Sequence, residues 1–254
     1  MRKSCNYAVP FFVFSSLAKG GGRYHIADMK IGKRESQRLQ KRAQIIAIAR
    51  EHFFEKGFEG ASMSAIAAQL GGSKRTLWSY FPSKEELFSS VVEDTAASIR
   101  GGIDFSAAGD SPLDQLTHLA RTIIERMTAP ISVQMFRLIS PMAERNPELV
   151  RVFFERGPHR TQKSIAEYMR TNFGDLLWTE DYWQAGDDLV GLAASHFHFE
   201  SLWGLKNPPT ARQKDARARL AAILFLRGYG RDPDALAPIE AQREAEAALA
   251  AAAG

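Results

Sequence analysis

The chain has 254 residues, a formal net charge of +4 and ordinary globular fractions of hydrophobic (45%) and charged (24%) residues, enough to bury a core in one large domain or two modest ones. Cys5 is the only cysteine, which excludes an intrachain disulfide and a thiolate metal cluster and suits a reducing cytosol. No stretch approaches the roughly 18–20 consecutive apolar residues that a bilayer-spanning helix needs, so neither a membrane partner nor a membrane location is expected.

Charge is placed unevenly. Between Lys30 and Lys84 eleven Lys or Arg face four Glu, a local +7; the first twenty-nine residues add +3, and residues 85–254 carry −6. A basic front on an acidic body points to a polyanion, and nucleic acid is the leading candidate. Residues 1–37 open "MRKSCNYAVPFFVFSSLAKGGG", the outline of a signal peptide, but Pro10 interrupts the short apolar core and no small-x-small site follows. They are expected to form a flexible leader, with Met29 as a second candidate start.

From Arg38 to Lys56, Leu39, Ile46, Ala49 and Phe53 recur at helical spacing and Gly57 stops the run. Ser62 is placed to cap a short helix through Leu70, with Gly71 just past its end, where a positive φ is cheap. Ser73 caps a third helix to about Phe81, and Pro82 ends it. Ser83 with Glu86 three residues on reads as a capping box opening a long helix that Gly101 and Gly102 terminate. Further helical patterns run over 113–127, 133–144, 147–172 (broken at Gly157–Pro158), 180–203 and 211–227. Residues 231–254 are expected to form a mobile tail, Ala- and Glu-rich from Ala241 onward, where it has little apolar face to dock and is expected to fray. β-branched alternation is missing throughout, so the fold class is all-α.

Two short helices joined by "GGS", the second basic and polar, outline a helix-turn-helix. At 100° per residue, Leu77 and Phe81 point to the core and Arg75 and Ser79 away from it. Lys74 and Trp78 take one flank, Thr76 and Tyr80 the other. Such a helix fits the major groove of B-DNA, with outward residues at base edges and flanking hydroxyl and ammonium groups at phosphates. The free N–H groups behind Ser62 and Ser73 add donors for phosphate.

The segment "MSAIAAQLGGSKRTLWSYFPSKEELF" resembles the DNA-binding domain of the TetR/AcrR family of bacterial transcriptional regulators over about residues 38–88. The resemblance implies Lys74, Arg75 and Trp78 as base readers beside Ser64, and Ser62, Thr76, Tyr80 and Lys84 as phosphate contacts. Gly72 stands where the family has an apolar residue, and Trp78 where it has tyrosine. "MFRLISPMAERNPELVRVFFERGP" is similar to the C-terminal domain of the AefR-like branch. That implies a helix-turn-helix domain (38–84) followed by a helical ligand-binding and dimerisation domain (85–230), acting as a homodimeric, cytoplasmic repressor released from operator DNA by a small molecule.

An apolar or aromatic effector is expected among Met135, Phe136, Phe153, Trp183, His196 and Phe197, with Phe154 and Trp203 as further candidates; the apolar ones among them are more often plain core, since helical core stripes look the same. Ile223, Phe225 and Leu226 of "LAAILFLRGYG" are expected at the dimer interface, because the helix is apolar nearly all round. In "HFHFE", His196 and Glu200 share a helical face while His198 is turned away by about 200°. Only two ligands converge, so no metal and no cofactor are expected, and no nucleophile–base pair or phosphate loop supports an enzyme. Two alternatives remain: a ligand-independent accessory DNA-binding factor of the same fold, and a metal-dependent enzyme using His196 and Glu200.

Overall fold

Serine caps and glycine turns divide the N-terminal third of the chain. The structure, a computed structural model, describes residues 32–106, 109 and 111–231. The expectations for residues 1–31 and for the tail from residue 232 lie outside the described residues. Among the described residues every regular element is helical.

α1 spans Lys33–Gly60 and is interrupted at Gly57, whose φ of 72° and ψ of 174° leave the helix. A side chain at that φ would be strained, which is why glycine ends the straight run. The helix starts at Lys33, five residues ahead of the Arg38 expected from periodicity. Leu39, expected on the inner face, is exposed, because the first turns of α1 extend past the elements that cover Ile45, Ile46, Ala49 and Phe53. α2 (Met63–Gln69) and α3 (Lys74–Tyr80) follow, and Gly71 between them has φ 67°. α4 (Lys84–Arg100) opens on Ser83, whose Oγ accepts from Glu86 N at 3.0 Å.

The body contains α5 (Pro112–Met127), α6 (Pro130–Ile139), a 3-10 turn (Ser140–Met142), α7 (Pro147–Arg156), α8 (Pro158–Phe173), α9 (Tyr182–Trp203) and α10 (Ala211–Tyr229). The helix expected over 133–144 ends early, since Pro141 has no N–H to continue the ladder. Gly157–Pro158 breaks α7 from α8 as expected. α10 carries the full reciprocal capping box, Thr210 with Gln213. Its far end is tied back by an isolated bridge between Leu177 and Gly230.

Two apolar cores result. One joins Ile45, Phe53, Phe58, Leu77, Phe81 and Phe88 of the first helices to Met135, Leu138, Met142 and Phe153 of α6, the turn and α7. Phe53, Phe58 and Phe88 form an aromatic triad, with centroids 5.0–5.9 Å apart, and burial of each ring contributes roughly 1.5–3 kcal/mol. The N-terminal unit is therefore seated on the body through α1 against α6 and α4 against α7. The second core joins α5, α8, α9 and α10.

That second core corrects the interface expectation. Ile223 (5% exposed), Phe225 (0%) and Leu226 (7%) are buried within the single chain, among residues such as Leu116, Leu119 and Leu189. α10 packs on both α5 and α9, so two of its sides are covered before any second subunit arrives.

Candidate nucleic-acid interface and ligand cavity

Each short helix of the N-terminal unit is started by a serine. Ser62 Oγ accepts from Ala65 N at 3.1 Å, and Ser73 Oγ accepts from Thr76 N at 3.1 Å. Gly71 N bonds Ala68 O and Gly72 N bonds Ala67 O, closing α2 so that the chain can turn. On α3, Leu77 and Phe81 are sunk into the core. Lys74, Arg75, Trp78 and Ser79 are exposed, with Thr76 and Tyr80 half-buried. Trp78 is 45% exposed, a large ring with an N–H donor beside two cations. Among the described residues neither Lys74 nor Arg75 has an ion-pair partner.

Not every expected contact is equally free. Thr76 Oγ1 lies 3.0 Å from Ser73 Oγ, and Ser79 Oγ donates to Thr76 O at 2.7 Å. Tyr80 packs against the first core. Lys84 donates from Nζ to the Glu59 carbonyl at 3.1 Å while lying 4.6 Å above the Phe58 ring. Ser62 and Ser64 are exposed on α2. Lys33, Arg34 and Arg38 add exposed charge on the first turns of α1. The sequence signals them through the local charge excess alone, with no motif.

A cavity of about 360 Å³ lies where the two cores meet. Val92 and Ala96 of α4, Met135 and Phe136 of α6, Phe153 of α7 and Ile165 of α8 are in its wall, and Trp183 of α9 stands at one side. Four of the six residues expected at an effector site, Met135, Phe136, Phe153 and Trp183, thus come together, and Phe154 joins them.

His196 and Phe197 do not line the cavity. Phe197 packs against the second core, and His196 is turned outward, its Nε2 3.4 Å from Glu200 Oε1. Glu200 also takes the Lys206 ammonium. His198 is buried and donates from Nδ1 to the Met127 carbonyl at 3.0 Å, with its ring edge-on to Phe136. Among the described residues no three His, Cys, Asp or Glu side chains gather as metal ligands. Trp203, a further cavity candidate, is 65% exposed at the end of α9.

α4 links the two sites. Its Val91 and Val92 are in the core that carries α3, while Val92, Ala96 and Ile99 reach the cavity. Glu93 pairs with Arg156 (3.2 Å) and Arg160 (2.6 Å), fastening α4 to α7 and α8.

Two segments of the chain match known families. Residues 45–91 match the bacterial regulatory proteins of the tetR family, and residues 114–231 match the C-terminal domain of AefR-like transcriptional repressors. A TetR-family transcriptional regulator from Mesorhizobium loti superposes with a TM-score of 0.68 at 31% identity, covering 76% of this chain and 98% of its own. The chain belongs to the TetR family of bacterial transcriptional regulators. A flavonoid-responsive regulator, FrrA, has a TM-score of 0.67 at 28% identity over 76% of this chain and 98% of that one. An HTH-type transcriptional regulator from Mycobacterium bovis is 28% identical over 97 residues, 37% of this chain. The match spans only 42% of that relative's length. Among the described residues no helix is long and apolar enough to cross a membrane.

Proposed function

We propose that this TetR-family chain is a DNA-binding transcriptional repressor, homodimeric and cytoplasmic, whose grip on operator DNA is relaxed by a small apolar or aromatic ligand in the cavity. The observation that carries the reading is the double membership of Val92, part of the core beneath α3 and part of the cavity wall. On α3, Arg75, Lys74 and Trp78 read base edges with Ser64 beside them. Ser62, Ser73, Thr76, Tyr80 and Lys84 hold phosphates.

Two recognition helices of a dimer enter successive major grooves only when they sit about 34–36 Å apart, or a multiple of that. A ligand that binds better to a tilted α4 shifts the population toward a spacing that misses the grooves. The apolar wall suits an aromatic effector, and the name of FrrA says that one structural relative responds to flavonoids. A ligand-independent accessory role would leave the 360 Å³ cavity without a use.

The dimer face is assigned to residues that the single chain leaves open. Phe199 and Trp203 of α9 and Leu224 of α10 are exposed, apolar in a way that a monomer surface rarely is. The test is release of bound operator by compounds that raise the melting temperature of the protein. Those compounds should lose their effect in Val190→Trp, which fills the cavity from a half-buried position. Release that survives in the filled variant would place the effector elsewhere.

A further inference from the structure

The cavity wall is apolar except at a few positions, and most of its polar groups are already occupied. Ser132 Oγ donates to Arg126 O, Thr161 Oγ1 to Gly157 O, and Gln162 Nε2 to Trp183 O. His159 and Asp187 stand at solvent-exposed positions of the wall. Arg126 differs. It lines the cavity from the last turn of α5, its Nε is buried, and that N–H has no hydrogen-bond acceptor among the described residues. Among the described residues it has no ion-pair partner either.

Gly102 makes room for this guanidinium. A Cβ at Gly102 would fall 2.5 Å from Arg126 Nη1, 2.6 Å from Cζ and 2.7 Å from Nε. The planar group therefore lies against bare backbone just past the end of α4, and only glycine allows that approach. A buried donor without an acceptor is costly, the more so on a charged group. An arginine fork in the wall of an apolar chamber matches a carboxylate in geometry as well as in charge.

We propose that the effector is an aromatic or otherwise apolar carboxylate whose charged group pairs with Arg126 while its apolar part fills the space between Met135, Phe153 and Ile165. The assignment rests on the cavity's being the effector site. It also gives the ligand a lever, because pairing with Arg126 acts on the side chain that packs against Gly102, where α4 ends.

Two- and three-ring aryl carboxylates and their matched carboxamides serve as probes, with binding read by quenching of tryptophan fluorescence and by shift of the melting temperature. A charge-assisted pair is worth about tenfold to a hundredfold in affinity over a neutral contact. At least one carboxylate should bind wild type that much more tightly than its amide. The preference should vanish in Arg126→Met and weaken in Gly102→Ala, which displaces the guanidinium without removing it. Arg126→Lys, retaining charge but not the fork, should recover part of it. Thermal unfolding of each variant identifies any that fail to fold, and the remaining variants decide the matter.

Equal binding of acid and amide to wild type, the same preference in Arg126→Met and Gly102→Ala, or no saturable binding of any carboxylate would overturn the proposal. Binding abolished by Val190→Trp yet indifferent to charge would leave the cavity as effector site and sink the carboxylate alone. Binding unaffected by Val190→Trp would remove both.

Discussion

The Lys84 ammonium donates to the Glu59 carbonyl at 3.1 Å and sits 4.6 Å over the ring of Phe58. The start of α4 is thus pinned to the end of α1, immediately beside the recognition helix. An ammonium has three donors, so one can serve Glu59 while the others face a phosphate. Lys84→Met should lower unfolding free energy by about 0.5–2 kcal/mol through the lost bond and cation–π contact. It should also weaken binding to every DNA sequence alike and reduce the salt slope by about 1. Urea unfolding and salt-dependent anisotropy check the two effects separately; unchanged stability would show that the contact to Glu59 is incidental.

Arg75 projects from α3 with no ion-pair partner among the described residues, so its fork is available for a base edge. Arg75→Ala should cost about 1–3 kcal/mol on the cognate operator and blunt base preference. On random DNA the loss should be limited to the removal of one charge. Equal losses on specific and random DNA would move Arg75 from the base readers to the phosphate contacts.

Tyr229 donates its phenol proton to Asp188 Oδ2 at 2.5 Å, and this bond to the carboxylate, with burial, pushes its pKa up from 10.0 to about 12. A folded-state pKa raised above the unfolded value means that the contribution is complete below pH 10 and is lost as pH rises through about 12. The Tyr229→Phe variant should therefore lose stability relative to wild type at pH 8 and approach it near pH 12. Urea midpoints of the two proteins across that range give the comparison. A difference that stays constant with pH would detach the stability from the phenol proton.

Much of the N-terminal unit was legible because its signals are local. Ser62, Ser73 and Ser83 cap the helices that follow them, Gly71 takes the positive φ, and Leu77 and Phe81 fall on the inner face by helical periodicity alone. What depends on tertiary neighbours was not legible. Ile223, Phe225 and Leu226 resemble a partner-facing stripe in sequence, yet α5 and α9 enclose them. His196 and Phe197 lie on the same helix as Trp183 but several turns away, beyond the cavity. Arg126 looks like an ordinary basic residue at a helix C-terminus, where it suits the dipole; only the approach of Gly102 makes it part of a chamber.

The proposed interface separates two kinds of variant. Trp203→Glu and Leu224→Glu put charge on exposed apolar positions and should leave the subunit folded while shifting dimer to monomer. Phe225→Glu puts an unpaired charge into the core and should abolish folding. Sedimentation velocity with circular dichroism separates these outcomes. A Phe225→Glu protein that folds as a monomer would return that residue to the interface.

Selection of DNA from a randomised pool by the purified protein, followed by titration of the enriched site against scrambled DNA, tests whether the protein is a sequence-specific operator binder. The expected outcome is a two-fold symmetric site, occupied by a dimer, with half-sites about one helical turn or a multiple apart. Affinity for that site should exceed affinity for scrambled DNA by about a thousandfold or more at physiological salt. Enrichment of no sequence, or equal affinity for selected and scrambled DNA, would contradict it.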